Sequence, residues 1–258
     1  MCPLTEAGGP VIGAHDVARA AEGRGAVRIA LIGNFELSIG HVQVRLSDAT
    51  ERFLSFLALQ EVPVLRMAVA EALWPDANDE RARTNVRSLL WRLGREGAAI
   101  VNGEGSRLEL KPEVCVDVRE AEHLMLPCLD RSLTDAGAET RRLLLNDLLP
   151  DRSEDWLVVE QERYRQLRLH AIEEVAGRYL EQGRFAEAIE IMSHAISAEP
   201  LRETAQRCFL RALIAEGNRG EAYRRYSAFH DFFVEELSIE PSFSLEDLET
   251  PVTSSAFP

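Results

Sequence analysis

Lysine is almost missing from this 258-residue chain: Lys111 stands alone, and the other basic residues are arginine. That bias follows from genomic base composition rather than from chemistry. No stretch of about 18 apolar residues occurs, which excludes a helix built to cross a membrane. Met1–Arg24 holds no apolar run, so no signal peptide is expected. Cysteine is sparse, and Cys2, Cys115, Cys128 and Cys208 show no paired spacing. They are expected to be reduced thiols in a cytoplasmic protein. His15, His41, His123, His170, His194 and His230 lie far apart and make neither an H-E-x-x-H string nor a Cys/His cluster. There is no G-x-S-x-G elbow and no G-x-x-x-x-G-K-[ST] loop, and Gly103-Glu104-Gly105 is a turn rather than half of a dinucleotide loop. An enzyme, a bound metal and a cofactor are therefore not expected.

Positive charge is also short overall, at a net −14. Its distribution matters more than its sum. Val27–Glu120 carries 12 Arg and Lys against 14 Asp and Glu, a net of −2, whereas Ala121–Pro258 carries 15 against 26, a net of −11. Arg81, Arg83, Arg87, Arg92 and Arg95 fall in one window, and Ala82–Arg95 contains no acidic residue. A local basic stripe of this kind suits phosphate contact.

The first 26 residues are rich in small side chains and are expected to lack structure. Alternating apolar residues around Gly33-Asn34 and Ser38-Ile39-Gly40 predict two antiparallel strands, within Arg28–Leu37 and Val42–Leu46. A helix to about Gln60 comes next, capped by Ser47 or Asp48, then one over Leu65–Leu73 that stops at Trp74-Pro75. A third, capped by Asp79, runs to about Arg95 and ends at Gly97. Ala99–Val101 and Arg107–Leu110 bracket a hairpin turn, and Val114–Val118 is extended, with Asp117 placed to cap the next helix. Strands, three helices and a hairpin make the layout of a winged helix, an α+β fold.

The C-terminal half reads as all-α: Arg119–Leu126, Ala138–Leu148, Glu154–Gln182, Phe185–Ala198, Leu201–Glu216 and Gly220–Glu236. Shifted by 34 residues, Tyr179–Met192 lies on Leu213–Tyr226, bringing Gly183 onto Gly217, Glu187 onto Glu221 and Ala188 onto Ala222. That period, with Gly at a helix-pair turn and Ala at the close contact, is tetratricopeptide-like. The domains expected are 1–26 without structure, 27–120 winged helix, 121–248 helical repeat and 249–258 tail.

In the third helix, Ala82, Val86, Leu89, Leu90 and Leu93 form the apolar stripe. Arg83, Thr84, Arg87, Ser88, Trp91 and Arg95 face the other way, with Arg92 in the same basic window. A recognition helix needs such a face: arginine grips guanine O6 and N7 bidentately, and Ser or Thr bonds to bases or phosphates. Arg107 and Asn102 of the hairpin are placed to reach phosphate or the minor groove, and Trp91 packs on DNA sugars or on the wing. The same faces also fit plain solvated surface. The alternative to a DNA-binding protein is an interaction scaffold with a degenerate winged helix.

The residues resemble a family. Gly33-Asn34-Phe35, Glu71-Ala72-Leu73-Trp74-Pro75-Asp76, Asn85-Val86-Arg87-Ser88-Leu89-Leu90-Trp91-Arg92-Leu93 and Cys115-Val116-Asp117-Val118 are similar to the DNA-binding domain of SARP-type bacterial activators. Leu149-Pro150, Asp155-Trp156, Glu162-Arg163, Pro200-Leu201-Arg202-Glu203, Glu235-Glu236-Leu237 and Ile239-Glu240-Pro241 resemble the bacterial transcriptional activator domain that accompanies it. The resemblance implies a winged helix on double-stranded promoter DNA, bound in tandem to direct repeats. It also implies contact with RNA polymerase or another protein through the helical domain. That domain is expected to be dispensable for DNA contact, so that residues 1–125 suffice. Gly94 departs from the family's arginine, and Ser106-Arg107 replaces its Gly-Tyr at the wing.

Overall fold

The structure is a computed structural model that describes residues 11–13, 26–103, 105–125 and 138–249. They fall into two compact units: residues up to Leu124 together with Ala138–Arg165, and the chain from Gln166 onward. The helical domain expected from residue 121 thus gives its first part to the winged-helix unit.

The first unit holds two sheets. β2 (Val27–Ala30), β3 (Glu36–Ile39) and β4 (Val42–Arg45) run antiparallel, with Ile29 opposite Leu37 and Leu37 opposite Val44. Three strands form here rather than two, because Gly33 and Gly40 at positive φ let the chain reverse twice. β8 (Cys115–Val116) joins β2 in parallel, and β1 (Val11–Gly13) joins β4 in parallel. The order is β1-β4-β3-β2-β8. β1 lies in the segment expected to be without structure; the rest of that segment and the 250–258 tail lie outside the described residues.

α1 (Asp48–Ala58), α2 (Arg66–Leu73) and α3 (Asp79–Ile100) come next along the chain. Phe53, Leu54 and Leu57 of α1, Val69, Ala70 and Leu73 of α2, and Ala82, Val86, Leu89 and Leu93 of α3 are buried. Leu90, expected in that stripe, is only half-buried because it sits at the stripe's edge. The cap of α3 is Asn78 and not Asp79: its Oδ1 accepts from Arg81 N at 2.9 Å and its carbonyl from Ala82 N. Gly97 does not end α3, which runs on to Ile100; isolated glycine in a helix costs about 1 kcal/mol, too little to stop it. β6 (Val101–Asn102) and β7 (Arg107–Leu110) make the wing, and β5 (Val64–Leu65) pairs with β7 as a third strand.

α4 (Asp117–Met125) and α5 (Ala138–Leu145) precede α6 (Asp155–Glu181), whose residues through Arg165 belong to the first unit. Asp117, expected to cap α4, is fully buried and accepts from two backbone N–H groups of a distant loop, Leu31 at 2.8 Å and Ile32 at 3.1 Å. Arg142 of α5 closes the cluster, with Nη2 3.0 Å from Asp117 Oδ2 and Nη1 donating to Ile32 O at 2.7 Å. Cys115 is disulfide-bonded, so the expectation of reduced thiols fails there; spacing along a chain does not report distance in space.

In the second unit, α7 (Phe185–Ala198), α8 (Glu203–Glu216), α9 (Arg219–Leu237) and α10 (Leu245–Glu249) continue from the rest of α6. The 34-residue period reappears in the backbone. Arg184 N bonds Tyr179 O and Gly183 N bonds Leu180 O; Asn218 N bonds Leu213 O and Gly217 N bonds Ile214 O. Both turns are Schellman closures, and both glycines sit at positive φ, 72° and 94°, where a Cβ is strained. Ala188 and Ala222 are fully buried at the equivalent helix contacts. Arg202 holds Glu173 with two hydrogen bonds, at 2.6 and 3.1 Å.

Candidate nucleic-acid interface

α3 is the element on which the candidate site is built. At 3.6 residues per turn, Thr84, Ser88 and Trp91 form the line opposite its buried stripe. Arg83 and Arg87 fall on one side of that line, Arg81 and Arg92 on the other. All seven are exposed, and Trp91 is 83% exposed, so it does not pack on the wing. Arg95 comes later on the same helix; its side chain, like Gly94's surroundings, lies outside the described residues.

Charge pairing separates this face from the rest of the surface. Many arginines elsewhere are neutralised: Arg28 by Glu120, Arg163 by Glu122 and Glu160, Arg165 by Glu162, Arg184 by Glu187, Arg224 and Arg225 by Glu221. Arg45, Arg66, Arg107, Arg119, Arg207 and Arg211 have no ion pair among the described residues, but they are spread over several elements rather than gathered on one helix face. Among the described residues, Arg81, Arg83, Arg87 and Arg92 make no ion pair. Arg83 Nε reaches only Met67 Sδ, at 3.3 Å. Thr84 Oγ1 donates back to Glu80 O at 2.8 Å, which leaves its lone pairs outward. Asp79 and Glu80 sit in the first turn, where acids favour the helix dipole.

The wing carries the other two candidates. Arg107 is exposed and its Nη1 donates to Pro63 O at 2.7 Å, which fixes its stem against the strand β5 begins. Asn102 is half-buried and its Nδ2 donates to Glu109 Oε1 at 2.9 Å across the hairpin, so its amide is engaged inside the wing. The structure therefore brings Arg83, Thr84, Arg87, Ser88, Trp91 and Arg92 together and sets Asn102 apart.

Two contributors go beyond the residues that sequence reasoning places on the site. Arg81 belongs to the basic window, but its register on the face becomes clear only once the cap moves to Asn78. Arg66, at the start of α2, donates to Gly103 O at 2.6 Å and Gly105 O at 3.1 Å, while its own N bonds Ser106 O. It clamps the wing turn onto the helix-turn-helix, and no local pattern signals a contact across nearly forty residues.

Other chemistry is thin among the described residues. No group of three or more His, Cys, Asp or Glu is arranged to hold a metal, and no helix is long and apolar enough to cross a membrane. Burial pushes the Cys208 thiol up to about 12, with Glu173 adding to it, so it is a poor nucleophile.

Comparison with known proteins agrees with this architecture. Residues 131–252 match the family model for the bacterial transcriptional activator domain. The regulatory protein AfsR of Streptomyces coelicolor is 24% identical over 189 residues, which covers 69% of this chain and 19% of that protein. The chain therefore spans about a fifth of that relative's length. The structure of Mycobacterium tuberculosis EmbR in complex with a low-affinity phosphopeptide shares the fold, with a TM-score of 0.66 at 16% identity over 87% of this chain and 64% of that one. By fold and by these likenesses the chain is similar to SARP-type proteins: a winged helix is followed by a region, residues 131–252, that matches the bacterial transcriptional activator domain.

Proposed function

We propose that this protein is a sequence-specific DNA-binding activator of transcription, acting in the cytoplasm, with α3 as its recognition helix. One observation carries the reading: four exposed, uncompensated arginines flank an outward Thr84–Ser88–Trp91 line on a helix of a winged-helix unit. The flanking cations suit the phosphates on the two sides of a major groove about 12 Å wide, and the central line suits base edges and thymine methyls. Arg95, later on α3, is a further candidate for phosphate contact. Arg107 meets backbone from the wing, whereas Asn102 contributes by holding the hairpin. The repeat unit, tetratricopeptide-like and without a cationic face of this kind among its described residues, serves protein contact, RNA polymerase being the partner that an activator requires. A tandem arrangement on direct repeats about 10–10.5 bp apart, or a multiple, would put successive recognition helices on one face of the duplex. A scaffold with a degenerate winged helix leaves the four uncompensated arginines without a use.

Arg87→Ala tests the reading. It removes an exposed, unpaired side chain, so melting temperature should stay within about a degree or two while specific affinity falls by about 1–3 kcal/mol and one base position relaxes. Competition binding against a library of single-base variants of the site reads both. A lower melting temperature with unchanged affinity per folded molecule would put Arg87 in the structure instead of on DNA.

A further inference from the structure

α2 ends without a glycine cap, at Trp74-Pro75, and its last carbonyls need donors from elsewhere. Leu73 O finds one in Arg52 of α1, whose Nη2 donates at 2.9 Å. Arg52 is in turn held by Glu154, with Oε1 3.1 Å from Nε. Arg152 Nη1 donates to the same carboxylate oxygen, Glu154 Oε1, at 3.3 Å, and the guanidinium spreads to Glu51 at 2.9 Å and Asp48 at 3.1 Å in α1. The Arg52 and Glu154 side chains are only 26% and 19% exposed, so solvent and salt screen their attraction less than at the surface. Five residues, 74–78, separate Leu73 from Asp79, where α3 begins.

From this chain of contacts we infer that Glu154 is a positioning residue for the recognition helix. Through Arg52 it anchors the carbonyl end of α2, and the turn over residues 74–78 then presents α3 at a fixed angle. Glu154 lies in the segment that matches the bacterial transcriptional activator domain, residues 131–252, so this domain supplies part of the frame of the DNA-reading unit. The binding arm of the inference rests on the DNA-binding reading; the structural arm does not.

The test uses the full chain with Glu154→Gln, Arg52→Gln and the double variant. Hydrogen exchange of the amides from Trp74 to Ala82 is read beside that of β2, β3 and β4. For Glu154→Gln, protection in the turn should fall about tenfold, as for losing a charged partner, while the strands keep theirs. Affinity for the specific site should fall by a similar factor with non-specific DNA affinity unchanged, a ratio that loss of folded protein does not move. The double variant should be no worse than Arg52→Gln alone, because the two act in series. Unchanged turn protection, equal loss in every element, or additive effects of the two substitutions would overturn the inference. If the unsubstituted chain binds no DNA, the proposed function fails, and the exchange data still decide the role of Glu154.

Discussion

A chain cut after residue 125 is expected to lose its fold and, with it, any DNA affinity, whereas one cut after Arg165 keeps both. The segment 138–165 completes the winged-helix unit. Asp147 O accepts from Gly33 N at 2.7 Å, Leu149 N donates to Leu31 O at 2.9 Å, and Ile32 bridges to Leu148. Leu143, Leu144, Leu148, Leu149 and Leu157 are buried, and Tyr164 Oη donates to Leu143 O at 2.6 Å. At about 1.5–3 kcal/mol per buried leucine, removing this segment forfeits burial comparable to the whole stability of a domain, about 5–15 kcal/mol. Gln161 adds bonds from its amide to the carbonyls of Leu148, Leu149 and Arg152, which hold Leu149 at its unusual φ of 43°. Circular dichroism melts of the two fragments decide the matter. A cooperative melt of the shorter fragment would return the boundary to the position that the sequence alone suggests.

Asp117→Ala should cost about 3–5 kcal/mol of unfolding free energy, the usual penalty for removing one partner of a buried ionic cluster. Two backbone N–H groups would lose their acceptor at a site with no solvent to replace it, and Arg142, whose side chain is a third exposed, would lose its counter-charge. Asp117→Asn should cost less, since its amide oxygen still accepts from one N–H. Urea denaturation of both variants gives the comparison; a loss below about 1 kcal/mol for the alanine variant would mean that the cluster is incidental.

The parts of the molecule legible in the sequence are those governed by local rules. The three- and four-residue spacing of Ala82, Val86, Leu89 and Leu93 sets both faces of α3, and the 34-residue period gives Gly183, Gly217, Ala188 and Ala222 their places. Residues whose partners are far along the chain are not legible in this way. Asp117 resembles a cap because capping is a short-range role, yet its carboxylate serves Leu31 and Ile32, some 85 positions earlier. Arg66, Arg52 and Glu154 carry no periodicity at all, since each bonds across the fold to a carbonyl or a carboxylate. The exposed arginines of α3 are visible as residues, but their lack of acidic partners is a fact of three-dimensional packing. The bond of Asn102 to Glu109 is hidden for the same reason: that cross-strand neighbour is set by the hairpin register.

The salt dependence of DNA binding tests the central claim most directly. Each phosphate neutralised contributes about −0.9 to the slope of log K against log salt concentration, so Arg81, Arg83, Arg87 and Arg92 together predict a slope of about −4. Fluorescence anisotropy on a fragment from the region upstream of the protein's own gene, taken between about 50 and 200 mM salt, measures it. Replacing all four arginines by glutamine should reduce the slope to about −1, the share left to Arg107, and leave the melting temperature in place. A flat slope for the unsubstituted chain, or a steep one that survives the fourfold substitution, would contradict the account.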